Sequence, residues 1–199
     1  MTGTLRQLRS VQVGPVRRLE RGGRRLSSAM VKAPVAGPVP VGPLGLLGDA
    51  QADLRFHGGP DRAVYAYPAE HYDFWRQARQ AAGVDGIDDR LPPGSLGENL
   101  TLAGLLEAEV WLGDRLCFPH CTLEVTGPRE PCHKLNLALG LPQAVRLMAE
   151  SGHCGFYLAV REPGTLAAGE AFELRPGPRR QALPEVFRAR SARHLRGPG

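Results

Sequence analysis

The sequence predicts a mainly β fold, a β-barrel with a few peripheral helices. Three observations predict it. Glycine and proline recur throughout, 25 and 18 of 199 residues, and such punctuation suits many short strands joined by turns. Helical periodicity is scarce, and the apolar stretches are short and alternating. Closure into a barrel removes exposed strand edges. Residues 1–174 are expected to form this domain. Residues 175–199 are expected to form a basic tail with one helix, Leu183 to Leu195.

The elements follow in order. Leu5 to Val13 reads as an opening strand, with Val11 and Val13 alternating against polar neighbours. Val31 and Val35, then Val39 and Val41, lie among prolines and read as short edge strands. Ala63 to Tyr67 is rich in β-formers. Pro68 fits the first turn of a helix. His71, Trp75, Ala78 and Ala82 share one face of it, and Gly83 ends it. Residues 84–93 are acidic and loop-like. Ala108 to Leu112 reads as a strand, followed by a Gly113-Asp114 turn and a strand at Arg115 to Phe118. Thr122 to Thr126 alternates and leads into a proline-bounded loop. His133 to Leu139 and Pro142 to Glu150 read as helices, the second stopped by Gly152. Gly155 to Val160 is expected to pair with Ala171 to Leu174 across a Pro163-Gly164 turn.

Composition narrows the function. No apolar run approaches the ~20 residues of a membrane span. The N-terminus lacks a hydrophobic signal region, which predicts a cytoplasmic protein. Four cysteines without paired spacing predict reduced thiols. The net charge of +5 is carried by Arg175, Arg179, Arg180, Arg188, Arg190, Arg193 and Arg196. A basic terminal segment with one aromatic, Phe187, reads as solvated rather than as a nucleic-acid site.

Cys132 is the main candidate for chemistry. It sits in Pro128-Arg129-Glu130-Pro131-Cys132-His133-Lys134. Positive neighbours stabilise a thiolate, the form that attacks electrophiles or ligates soft metals. Each unit of pKa depression needs only ~1.4 kcal/mol. His57-Gly58-Gly59-Pro60-Asp61-Arg62 offers backbone N–H groups and two cations to an anion. In Gly97-Glu98-Asn99-Leu100, Glu98 can relay a proton and Asn99 can donate and accept hydrogen bonds. Lys32 can offer a point charge to a phosphate. His71 lies on the inward helix face, within reach of a barrel-end site. Cys117, Cys121, His153 and Cys154 lack the spacing of a structural zinc site. Walker A, Rossmann and nucleophilic-serine motifs are absent.

Taken in order, Ser28-Ala29-x-x-Lys32, Gly45-Leu46-Leu47-Gly48-Asp49, His57-Gly58-Gly59, Tyr67-Pro68-x-Glu70-His71-Tyr72, Gly97-Glu98-Asn99-Leu100, Gly113-Asp114 and Pro128-Arg129-x-Pro131-Cys132-x-Lys134 resemble the MOSC family. That domain is found at the C-terminus of molybdenum cofactor sulfurases. The stand-alone bacterial members that reduce hydroxylaminopurines look most similar. The resemblance implies a barrel of the kind seen in the small inserted domain of pyruvate kinase. It implies a molybdenum cofactor, a molybdenum pterin dithiolene with a phosphate, ligated through Cys132. It also carries pyridoxal phosphate binding as a family-level label. Lys32, His57, Arg62, Asn99, Arg129 and Lys134 are implied cofactor contacts, with Gly58, Gly59, His71 and Glu98 around them. Two departures stand out: a small C-terminal helical domain is reduced to a single helix, and His133 replaces a common tryptophan.

Three readings follow from these residues. The first is a reductase of N-hydroxylated small molecules, fed electrons by a redox partner protein. The second is a carrier of molybdenum cofactor or sulfur without reductase activity. The third is a metal-free thiol enzyme using Cys132 with His133 or His71 as base. None involves nucleic acid or a membrane, and a homodimer is allowed.

Overall fold

The computed structural model describes residues 5–15, 17–21, 24–28, 30, 32–50, 59–84 and 91–195, with 17–28 and 193–195 described by backbone alone. His57, Gly58, Ala29, Val31 and most of the acidic 84–93 stretch lie outside the described residues.

In chain order the strands are β1 (Gln7–Val13), β2 (Arg17–Arg21), β3 (Arg24–Ser28), β4 (Ala33–Pro34), β5 (Val39–Gly42), β6 (Gly45–Leu46), β7 (Val64–Pro68), β8 (Leu100–Ala103), β9 (Arg115–Cys117), β10 (Thr122–Pro128), β11 (Phe156–Glu162), β12 (Gly164–Leu166) and β13 (Glu173–Arg175). The helices are α1 (Tyr72–Ala81), α2 (His133–Leu139), α3 (Ala144–Ser151) and α4 (Leu183–Leu195).

Eight strands form one sheet in the order β13-β9-β10-β11-β7-β8-β1-β4. Every pairing in it is antiparallel except β7 with β8. The sheet ends at β13 and β4, so the closed barrel expected from the sequence does not form as an unbroken ladder. An isolated bridge, Gln7 to Ala171, and backbone bonds of Leu8 with Gly169 and Glu170 and of Phe172 with Arg6 link β1 to the segment before β13. The molecule is mostly sheet with a few helices.

Several pairings differ from expectation. β11 pairs with β10 and β7, not with the segment at 171–174. β13 pairs instead with β9, and β12 with β5. β5, expected at an edge, is the centre of a three-stranded sheet, β12-β5-β6. Ala108 to Leu112 is not a strand. A short 3-10 turn occupies Glu107–Glu109, and buried Asp114 accepts the Trp111 N–H at 3.0 Å. That side-chain acceptor replaces a ladder partner. Pro68 ends β7, and a 3-10 turn over Ala69–His71 precedes α1.

Two apolar clusters result. One fills the sheet, around Leu8, Val64, Leu100, Leu123 and Phe156. The other joins Tyr65 and Tyr67 to Trp75, Leu135, Met148 and Phe187 beneath the helices. α4 is anchored rather than loose, because Leu183 and Phe187 are buried and it packs on α3 and β10. Among the described residues no helix is long and apolar enough to cross a membrane.

Candidate functional site

β10 ends at Pro128, and the chain turns through Arg129 to Pro131 into Cys132, which precedes α2. The two prolines restrict the turn. Cys132 is extended, half-buried, and its carbonyl accepts the Leu135 N–H at 2.9 Å. The loop therefore fixes the thiol by its backbone.

Arg129 carries the principal charge of the site. Its guanidinium is buried, donates to the Leu96 carbonyl at 3.1 Å, and lies 4.9 Å from the Tyr65 ring centre. A second contact reaches the Met30 sulfur at 3.8 Å. Among the described residues none of these partners is a carboxylate. Arg129 and Tyr157 both lie within electrostatic reach of the Cys132 thiol.

Tyr65 and Tyr157 are register partners on β7 and β11, with ring centres 5.5 Å apart. Arg62 sits 5.5 Å from the Tyr157 ring centre. Two guanidiniums thus bracket two phenols, each contact worth ~0.5–2 kcal/mol depending on exposure. Burial pushes both phenols above their ordinary pKa, so they remain neutral.

The Gly97–Leu100 loop and Lys32 meet on the same side. Lys32 Nζ donates to Asp49, with both side chains nearly buried. The other Asp49 oxygen accepts from Asn99 Nδ2 at 2.8 Å, and Asn99 Oδ1 accepts the Tyr65 N–H at 3.1 Å. Lys32 is therefore not a free point charge. Burial lowers its pKa, and the Asp49 charge opposes that shift. As an ion pair, Lys32 and Asp49 together carry little net charge.

Glu98 is not placed to relay protons. It is fully buried and accepts from the Tyr72 hydroxyl, Gly94 N–H at 2.7 Å, Thr101 Oγ1 at 3.0 Å and Leu96 N–H at 3.1 Å. Its role is to hold the loop that presents Asn99 and the Leu96 carbonyl. His71 likewise has a partner of its own: its Nε2 is 2.7 Å from Glu107. Lys134 is half-buried in the first turn of α2, and His133 is exposed. Gly59 begins the turn to Arg62, at φ +87 with open space where a side chain would stand.

Arg129 thus stands by Cys132 and Arg62 over Tyr157, while Lys32 and Asn99 form a network through Asp49 that reaches the Tyr65 backbone, and His71 pairs with Glu107. The sequence reading assigned no role to Asp49, Tyr65, Tyr157 or Glu107. Asp49 stands in the quoted Gly45–Asp49 motif, and Tyr65 in the β-rich run, so the signals were present. Two of the other thiols are buried, and burial pushes Cys154 up and Cys121 up to about 12. Among the described residues no group of three or more His, Cys, Asp or Glu is placed to hold a metal.

Residues 53–173 match the MOSC domain family. YflK of Bacillus subtilis (strain 168) is 37% identical over 165 residues, covering 83% of this chain and 71% of that one. A Gibberella moniliformis (strain M3125 / FGSC 7600) protein named Reductase is 34% identical over 189 residues, covering 92% of this chain and 32% of that protein. The crystal structure of YiiM from Geobacillus stearothermophilus aligns with a TM-score of 0.71 at 29% identity, over 96% of this chain and 86% of that one.

Proposed function

The chain belongs to the MOSC domain family, and from that premise we propose that it binds a molybdenum cofactor through Cys132 and reduces N-hydroxylated compounds. One observation carries the reading. A half-exposed thiol stands beside a buried guanidinium that no described carboxylate neutralises. A buried cation is costly unless compensated, and a thiolate or an anionic ligand compensates it.

The donor set fits such a cofactor. A thiolate is a suitable soft ligand for this metal. Arg62, Arg129 and Lys134 supply cations for a pterin phosphate, with His57, Gly58 and Gly59 as further contacts by resemblance. Asn99, with its amide engaged by Asp49 and β7, acts as a rigid wall rather than a swinging donor. When bound, the molybdenum pterin supplies two electrons which, with two protons, convert an N-hydroxyl group to N–H and water. Pro128 and Pro131 hold the thiol, Arg129 offsets its charge, and Glu98 keeps the opposing loop in place. A segment similar to this chain forms about a third of a protein named Reductase, which supports the reductase reading; the electrons are proposed to come from a redox partner protein.

Expression in a host that makes the cofactor, followed by metal analysis, tests this. Wild type is expected to carry molybdenum and Cys132→Ala to lack it. Equal content in both, or none in either, overturns the ligand assignment. Holoprotein that keeps molybdenum but does not reduce N-hydroxylated bases with reduced viologen is a carrier instead.

A further inference from the structure

Behind the Cys132 layer lies a cluster that the site does not use. One Glu107 oxygen is 2.7 Å from His71 Nε2, and the other accepts the Gly155 N–H at 2.7 Å. Both side chains are about one-tenth exposed or less. The His71 ring stacks on His153 with centres 3.8 Å apart and planes 10° from parallel. Phe74 meets His153 edge-on at 4.8 Å. His153 Nδ1 is buried and has no hydrogen-bond partner among the described residues.

The segment 153–155 is suspended between this cluster and the site. The Tyr67 hydroxyl donates to the His153 carbonyl at 3.1 Å, and Tyr65 to the Cys154 carbonyl at 2.9 Å. The Gly155 carbonyl accepts the Arg129 N–H at 3.4 Å. Gly155 has φ +63, and a Cβ there would fall 2.4 Å from the Ala66 carbonyl oxygen. No side chain can be accommodated, so the segment stays tight against β7. Displacing it moves Arg129, three residues before Cys132.

Two imidazolium rings at stacking distance repel each other. Glu107 is the hydrogen-bond partner of His71 Nε2. Burial, and then the neighbouring His71, keep His153 neutral below its ordinary pKa. The other titratable groups facing the pair are Tyr67, 5.8 Å from His71 by ring centres, the buried Cys154, and Glu70, whose carboxylate is held by the Gly104 N–H at 2.7 Å. A proton on His153 adds charge beside His71 and leaves a buried N–H without an acceptor. Outward movement of His153 relieves both, and its backbone carries 153–155 along.

We propose that Glu107, acting through the His71–His153 stack and Gly155, positions the Cys132 loop, and that mild acid loosens it. The proposal rests on the reading that Cys132 is the reactive group of the site. Iodoacetamide alkylation of Cys132, followed by peptide mass spectrometry between pH 5 and 8, tests it, with the step expected below the ordinary histidine value of ~6.5. Thiolate fraction alone gives a log rate rising in proportion to pH below the thiol pKa. Wild type is expected to show an added step of at least threefold on that line, a change of ~0.65 kcal/mol or more in barrier. His153→Phe, which keeps the stack but takes no proton, is expected to lose the step. Glu107→Gln, which keeps the Gly155 acceptor, is expected to shift it along the pH axis. A wild-type profile without a step, or the same step in His153→Phe, overturns the proposal. Molybdenum content of wild type and His153→Phe at neutral pH is read separately, so failure of the cofactor reading is distinct from failure of the stack.

Discussion

Tyr65 and Tyr157 face each other across β7 and β11, and each presents its ring to a guanidinium, Arg129 to the first and Arg62 to the second. The arrangement places two cations near the Cys132 loop and uses neutral aromatic faces between them to limit their repulsion.

Removing the inner ring should therefore cost more than removing its hydroxyl. Tyr65→Phe keeps the ring and loses the hydroxyl's bond to the Cys154 carbonyl and its hydrogen-bonding contact with Arg129, ~1–2 kcal/mol. Tyr65→Leu also loses the cation–aromatic contact and leaves a cavity, at least ~2 kcal/mol in total. Urea denaturation of both variants checks the order.

Lys32 and Asp49 should behave as one unit. Lys32→Met alone leaves a nearly buried carboxylate without its cation, which costs ~3–5 kcal/mol. The double variant Lys32→Met/Asp49→Asn removes that charge while keeping an acceptor for Gly14 and should recover more than half of the loss. A double-mutant cycle measures the coupling.

Glu98→Ala should destabilise by ~3 kcal/mol or more, because four donors lose a common buried acceptor. Glu98→Gln should cost less. In both, molybdenum per folded chain should track fold recovery rather than vanish as in Cys132→Ala. Melting curves alongside metal analysis separate the two effects.

Acid should weaken the fold through His153. Its folded pKa is depressed by burial and by His71, so the unfolded chain takes the proton first. Stability is unaffected above the unfolded value of ~6.5 and falls as pH drops through it. His153→Phe should remove part of this slope. Melting temperatures from pH 8 to 5 give the comparison.

The legible part of this chain was local. Alternation located β7 and β10, helical spacing located the face carrying Trp75, and the proline-bounded loop singled out Cys132 and Arg129. Partnerships set by distant register were not legible. Nothing in the run from Gly155 says that it joins Tyr65 rather than the segment at 171. Leu100–Ala103 becomes a strand because β1 and β7 flank it; the sequence alone makes Leu100 the end of the preceding loop and assigns nothing to Thr101–Ala103. Ala108–Leu112 alternates, yet Glu107 and Asp114 bind nearby backbone and pull it out of a ladder. Lys32 looked available for chemistry because its partner Asp49 lies in another segment, and Glu98 because its local donors, Gly94, Leu96 and Thr101, converge on it only once the loop has folded against Tyr72.

The chain has two tryptophans. Trp75 is sealed in the helical cluster, its indole donating to the Tyr67 hydroxyl at 2.6 Å, whereas Trp111 is only half-buried under Arg179. Replacing Trp111 by phenylalanine would leave one fluorophore, and its emission colour would report when water enters the layer beneath the tyrosines.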